Sequence, residues 1–225
     1  MAKLTVEEEL AKLKRRQERN MRAARAQGLM QGIVSMLKPG DVVLDCGANL
    51  GNVTAPLAAT GAHVYAFEPD PYAFEQLQRR FQGVANVTLH NAAVGPEAGS
   101  IRLMRADNFD DNPKGASVKS TVISGGRRID EDEANSIEVE LIDLPAFIDG
   151  IVAEHGEVAF LKMDIEGAEL DLLEVMHARG QLNPIRLTVA ETHEKKFKHL
   201  AERFAALRAA IGEAYPVTKV DLDWI

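Results

Sequence analysis

Lys162, Asp164, Glu166 and Glu169 crowd into the run LKMDIEGAE (161–169), and Glu191 and His193 into ETH (191–193). Carboxylates, an ammonium and an imidazole are the groups that take or hold a proton on a reacting hydroxyl. They are equally the groups of a buried salt bridge. Each run follows a short β-rich stretch, FLKM or RLTVA, so both sets fall at the ends of candidate strands. Strand alternation places Lys162 on the face of Asp164, and Glu191 on the face of His193 if that strand continues. Two carboxylates brought close together repel, which raises one pKa unless Lys162, a protonated His193 or a metal intervenes.

A second set of candidates surrounds DCGANLGN (45–52), where the apolar run VVLD opens into a glycine-rich turn and an Ala/Leu-rich helix. A strand, such a turn and a helix form a nucleotide-site candidate. The dinucleotide fingerprint requires Gly at its first, third and sixth positions. Counting from Gly47 those positions hold Gly, Asn49 and Asn52, so a pyrophosphate is disfavoured. S-adenosylmethionine carries no phosphate. Asp45 would suit its cationic amino-acid end, with Gly47, Asn49 and Gly51 shaping the turn. Glu68, 17 residues beyond Gly51, is placed to accept hydrogen bonds from ribose hydroxyls, a role that serves NAD(H) equally. Asn91 either meets the adenine edge or simply forms a turn.

These residues need a scaffold that sets them at one edge. VVLD (42–45), HVYAFE (63–68), NVTLHNAAV (86–94), FLKMD (160–164) and RLTVAE (186–191) read as strands separated by helical segments. That alternation predicts parallel βαβ units and a doubly wound, mostly parallel α/β sheet. SIRLM (100–104) and IEVEL (137–141) alternate like paired strands. The polar stretch between them, 105–136, is expected to be a flexible loop or a lid. Thr5 to Leu37 lacks proline and predicts helix opened by a Thr5–Glu8 capping box, in two stretches separated by KRRQERN (14–20). Residues 1–38 thus form a helical extension, and 39–225 the main domain.

DCGANLGNVT (45–54), AFEPDP (66–71), NAAVG (91–95) and above all LKMDIEGAE resemble the FkbM-type S-adenosylmethionine-dependent methyltransferases over roughly residues 39–195. The resemblance implies a Rossmann-like methyltransferase fold and O-methylation of a sugar, glycan or secondary-metabolite hydroxyl. Where the family shows Thr-Leu-Asp, this chain has Leu141-Ile142-Asp143. In such a fold the strands bearing Asp164 and Glu191 are neighbours. Asp164 and His193 are then the candidate bases and Glu191 an orienting group, while Lys162 is the salt-bridge partner competing for Asp164. Glu166 is placed to face the site and Glu169 to support a helix start. Asp164, Glu191, His193 and Glu194 are also hard ligands for a divalent metal, but without the spacing of a dedicated motif, so none is expected.

Composition narrows the classes. Of 225 residues, 46% are hydrophobic and 27% charged, ordinary for a globular chain. The single Cys46 excludes an internal disulfide framework and fits a reducing, cytoplasmic setting. No signal peptide and no membrane-spanning run is visible. Residues 1–38 carry nine Lys/Arg against four Glu, whereas the remainder carries seventeen against thirty acids, which dissolves the net −8 into +5 and −13. The acidic body argues against broad nucleic-acid binding. The basic helix leaves open homo-oligomer formation, or a protein or RNA acceptor docked there. A non-catalytic nucleotide-binding module is the reading from outside the enzymes.

Overall fold

Asp70 and Asp143 each turn the chain from extended to helical by the same device. The Asp70 carboxylate accepts the N–H groups of Tyr72 and Ala73 at 2.9 and 3.2 Å, and Asp143 accepts that of Ala146 at 2.8 Å, with a proline in the first turn of both helices. Such caps satisfy orphan amides, and an early proline has no N–H to leave unpaired. Asp143 closes the Leu141-Ile142-Asp143 stretch, so the departure from Thr-Leu-Asp retains the capping acid.

The structure, a computed structural model, describes residues 5–105, 109, 120–123 and 136–224. Most of the loop or lid expected over 105–136 lies outside the described residues. The chain divides into two units, Met1–Met36 and Leu37–Trp224. The first is a continuous helix, α1 (Val6–Met36). This corrects the expectation of two stretches: a charged segment interrupts an apolar face but leaves the backbone hydrogen bonds of a helix intact. The Thr5–Glu8 capping box forms, with Thr5 N–H donating to Glu8 at 2.8 Å and Glu8 N–H to Thr5 Oγ1 at 3.2 Å. Val6, Leu10, Leu13 and Met21 are exposed on α1. Among the described residues no helix is long and apolar enough to cross a membrane.

The second unit holds β1 (Val42–Cys46), α2 (Thr54–Ala58), β2 (His63–Phe67), α3 (Pro71–Arg80), β3 (Val87–His90), β4 (Ala92–Gly95), β5 (Gly99–Met104), β6 (Ser136–Asp143), α4 (Leu144–His155), β7 (Phe160–Met163), α5 (Glu169–Ala178), β8 (Thr188–Ala190), α6 (Ala201–Ala214) and β9 (Val220–Asp221). Six strands form one sheet in the order β3-β2-β1-β7-β8-β9, every pairing parallel. The expected doubly wound α/β architecture is therefore present. Central strands covered on both faces read as apolar runs, and β1 and β7 are buried at every position. Leu44, Leu161, Leu173, Met176, Ile148 and Phe204 belong to the core cluster between sheet and helices.

The stretch 86–94, read from sequence as containing one strand, supplies two. β3 ends at His90 in the parallel sheet, and β4 begins at Ala92 in a second sheet of order β4-β6-β5. There β5 and β6 pair antiparallel, with Ile101 opposite Val139, as their alternation predicts. Asn91 is the hinge residue between the sheets.

Candidate active site

The carboxyl ends of β1, β2 and β7 meet at one cleft, built from the loop after each strand. β1 and β7 lie side by side, pairing Asp45 with Lys162 and Cys46 with Met163. This register delivers the Lys162 side chain to the turn at 46–49. Its ammonium donates to the carbonyls of Gly47 at 2.7 Å and Cys46 at 3.2 Å, stands 3.3 Å from Asp45 Oδ1 and lies 3.7 Å from Asp164 Oδ2. Lys162 is buried, and burial alone would lower its pKa, but Asp45 and Asp164 outweigh that and push it up to about 12. It is a permanent cation.

Asp45 faces this ammonium on one side and the Thr54 hydroxyl, at 2.7 Å, on the other, and it is completely buried. It anchors Lys162 and α2, and does not line the cleft. Gly47 does line it. Its φ is +80°, and a Cβ there would stand 1.8 Å from the carbonyl oxygen of Asp164, so only glycine lets β1 and β7 close together at their ends. Gly51 serves packing: its missing Cβ makes room for Leu77 and Phe81 on the α3 side. Asn49 lines the cleft and donates its N–H to Glu68 Oε2 at 2.8 Å, while Asp70 N–H donates to Oε1 at 2.9 Å. Burial raises the Glu68 carboxyl to about 7 despite those two amides. The Asn91 amide donates to the carbonyls of Glu68 and Pro69 at 2.9 and 3.2 Å, which is the turn-forming alternative.

Apolar surface from Phe67, Ala92, Ala93, Val94 and Leu103 completes this part of the cleft. An apolar slot with a carboxylate at its rim fits a purine nucleoside. Ser120, Thr121 and Val122 supply a further wall. The sequence reading missed it because it placed these residues in the long polar loop. The β-branched run Thr121-Val122-Ile123 was the available signal. Thr121 bridges to Met104, exchanging backbone hydrogen bonds of 2.8 and 2.9 Å.

Asp164 lines the same cleft and is also one corner of an acidic cluster. β7 and β8 are neighbours, as expected, with Met163 opposite Ala190, so Asp164 and Glu191 project side by side. The imidazole of His193 stands among four carboxylates. Nδ1 is 3.2 Å from Glu169, and Nε2 is 3.4, 3.8 and 3.9 Å from Glu166, Glu191 and Asp164. Burial would lower its pKa, but Glu169 and then the other acids raise it to about 9. These surroundings favour the imidazolium of His193, the form that donates a proton and does not accept one. Glu191 is pushed up to about 7 by burial and by Asp164. Burial likewise raises Glu166, which pairs with Lys196 as well as His193.

Glu169 is fully buried and accepts the N–H groups of Ile165 and Gly167 at 2.7 and 2.9 Å. It therefore shapes the turn after β7 and orients His193 at once. Asp164, Glu191 and His193 bring one ligand atom each within 4.8 Å of one another, a set that could hold a divalent cation if His193 gave up its proton. Glu194 is elsewhere, paired with Arg208 at 3.1 Å. Cys46 is fully buried, and burial pushes its thiol up, away from nucleophilic use.

An all-parallel doubly wound sheet with a glycine turn after its first strand and acids at the ends of β7 and β8 sets a cleft at its carboxyl edge, the arrangement of a Rossmann-like fold. Residues 45–214 match the Methyltransferase FkbM domain, and the chain belongs to that family. It is 30% identical over 186 residues to the 31-O-demethyl-FK506 methyltransferase FkbM of Streptomyces tacrolimicus, covering 70% of this chain and 67% of that protein. To the hexuronic acid methyltransferase AglP of Haloferax volcanii it is 25% identical over 171 residues, covering 74% and 62%. To Methyltransferase 1 of Beauveria bassiana it is 27% identical over 143 residues, covering 58% and 56%. The chain thus spans between 56% and 67% of the length of these curated relatives. The precorrin-6y C5,15-methyltransferase structure from Geobacter metallireducens aligns over 80% of this chain and 70% of its own with a TM-score of 0.40 and 11% identity. The cofactor of the FkbM methyltransferase domain is S-adenosylmethionine.

Replacing Lys162 with Met leaves Asp45 charged and unpaired in the interior. Breaking a buried pair in this way costs about 3–5 kcal/mol, so urea unfolding should show a loss of that order. A loss below about 1 kcal/mol would remove the pair from any structural role.

His193 adds a pH signature. Its folded pKa of about 9 exceeds the ordinary 6.5, so the stability its proton confers is complete below pH 6.5 and disappears as pH rises through 9. The unfolding free-energy difference between wild type and His193→Gln should be largest near neutral pH and shrink as pH rises toward 9. A difference that grows over that range would contradict the imidazolium assignment.

Proposed function

We propose that this protein methylates a neutral hydroxyl of a glycan or secondary metabolite, with Glu191 as the proton acceptor. The observation that carries the proposal is the position of Asp164, which lines the nucleoside-shaped cleft and stands beside Glu191 and His193. One relative is named for a 31-O-demethyl-FK506, which supports an oxygen acceptor. The acids gathered round His193 disfavour an acceptor group that is itself anionic.

When bound, S-adenosylmethionine supplies a methyl group already activated by its sulfonium. The chain's own work is alignment, exclusion of water and handling of one proton. Phe67, Ala93, Val94 and Leu103 form the apolar slot, and Glu68 accepts ribose hydroxyls with the lone pairs its two amides leave free. Lys162 holds the Gly47 carbonyl and Asp164 in fixed relation, so nucleoside and acceptor share one reference point. Asp164 orients the acceptor hydroxyl, and Glu191, about half ionised near pH 7, takes its proton. His193 is a positioning residue: as a cation fixed by Glu169 it keeps two adjacent carboxylates from repelling each other apart.

Calorimetric titration separates this reading from an oxidoreductase. S-adenosylhomocysteine should bind and NADH should not, and Glu68→Ala should weaken the former by about tenfold or more, as expected for lost hydrogen bonds to a charged group. Tight NADH binding without S-adenosylhomocysteine binding would overturn it.

The base assignment predicts the pH profile of labelled-methyl transfer. The group is inactive when protonated, so the rate should climb as pH rises through about 7. Glu191→Gln should lose about 10²-fold or more and flatten that limb. A full-rate Glu191→Gln variant, or an unchanged limb, would move the base elsewhere.

A further inference from the structure

Ser120 is 9% exposed, and its hydroxyl oxygen is shielded from solvent. Six buried side-chain atoms lack a hydrogen-bond partner among the described residues, and of these only Ser120 Oγ belongs to a residue lining the cleft. Thr188 Oγ1, by contrast, lies inside β8 and does not line the cleft. Native structures leave few buried polar groups unpaired, and those left unpaired call for a missing partner.

The backbone beside Ser120 is held at Thr121, so the hydroxyl gains a partner by rotation of its own side chain toward the cleft. Thr121 exchanges both backbone hydrogen bonds with Met104, donates its hydroxyl to the Glu166 carbonyl at 2.6 Å and accepts the Ile123 N–H at 3.1 Å. The same hydroxyl contact ties this wall to the turn that carries Asp164. The cleft that Ser120 lines is apolar at Leu103, Val122, Ala93 and Val94. A planar heterocycle suits such walls and presents its donors and acceptors only at its edge, where a hydroxyl can serve either kind.

We propose that the Ser120 hydroxyl hydrogen-bonds the nucleoside of the cofactor, and that Thr121 is the residue that positions it. The inference rests on the cleft being the cofactor site. It adds a recognition element from outside the loops after β1 and β2, on the segment that follows β5 in the second sheet.

The test titrates S-adenosylhomocysteine and 5′-methylthioadenosine, which keeps the nucleoside and lacks the amino-acid end, into wild type and Ser120→Ala. Both dissociation constants should rise by the same factor, about fivefold to tenfold. The ligand-free variant should melt no lower than wild type, because a hydroxyl without a partner has been removed. A structural role predicts the reverse, a lower melting temperature with affinity retained. Equal affinities in the two proteins, or weakening of S-adenosylhomocysteine alone, would overturn the assignment while leaving the cofactor reading intact. Failure of wild type to bind either probe would overturn both.

Discussion

One buried ammonium holds the site together. Lys162 is fixed by the β1–β7 register, and its charge is shared between two carbonyls of the turn after β1 and two carboxylates, Asp45 below and Asp164 at the cleft. An ammonium removed from water survives only if nearly all its donors and its charge are matched. Here the matching groups are the parts that must be placed. The turn carbonyls are drawn down, which leaves its N–H groups free to serve Phe67 O and Glu68. The same cation holds Asp164 on the face shared with the cluster. A shorter or uncharged side chain would disconnect the turn after β1 from Asp164, even with every other residue retained.

The acidic cluster solves a different electrostatic problem. Asp164, Glu166, Glu169 and Glu191 converge from a turn and a neighbouring strand end, and their mutual repulsion has to be offset locally. His193 and Lys196 provide the opposing charge. The environment then separates their roles. Glu169, completely buried but bonded to two amides and the imidazole, is committed to structure, whereas Glu191 has burial and a like charge against it and is held near neutrality. Groups whose surroundings pull their pKa values apart are the ones able to divide proton donation and acceptance between them. Here the imidazole holds its proton and a carboxylate is poised to exchange one, the reverse of their unperturbed order.

Period and punctuation made the central sheet legible. Apolar runs such as VVLD, with proline and capping aspartates between them, leave few alternatives to parallel strands and helices. The chemistry-bearing residues were legible for the same reason, since Asp164 and Glu191 immediately follow such runs. What the sequence concealed was the direction of individual side chains. Asp45 carries the right charge for a cationic ligand, yet the long-range pairing with Lys162, 117 positions away, turns it inward. His193 looked like a base because an isolated imidazole titrates near 6.5, and only the convergence of four acids raises it. Charge at the surface of a helix likewise hides nothing of its backbone, so α1 runs unbroken through KRRQERN.

Asn91 shows how a polar residue in a strand-like run can divide two sheets. In NVTLHNAAV the β-forming pattern continues through it, but an amide side chain competes for backbone partners instead of extending a ladder. Its donors go to the carbonyls of Glu68 and Pro69, so the chain leaves β3 at His90 and enters β4 at Ala92 in another sheet. The consequence reaches the cleft. Fixing the Glu68 backbone also fixes where its buried carboxylate meets Asn49, and redirecting the chain puts Ala92, Ala93 and Val94 along the apolar wall. The second sheet in turn brings Leu103 and the Thr121 bridge to that wall. A parallel sheet alone would offer its ligand one rim of loops; the break at Asn91 adds an apolar wall beside that rim.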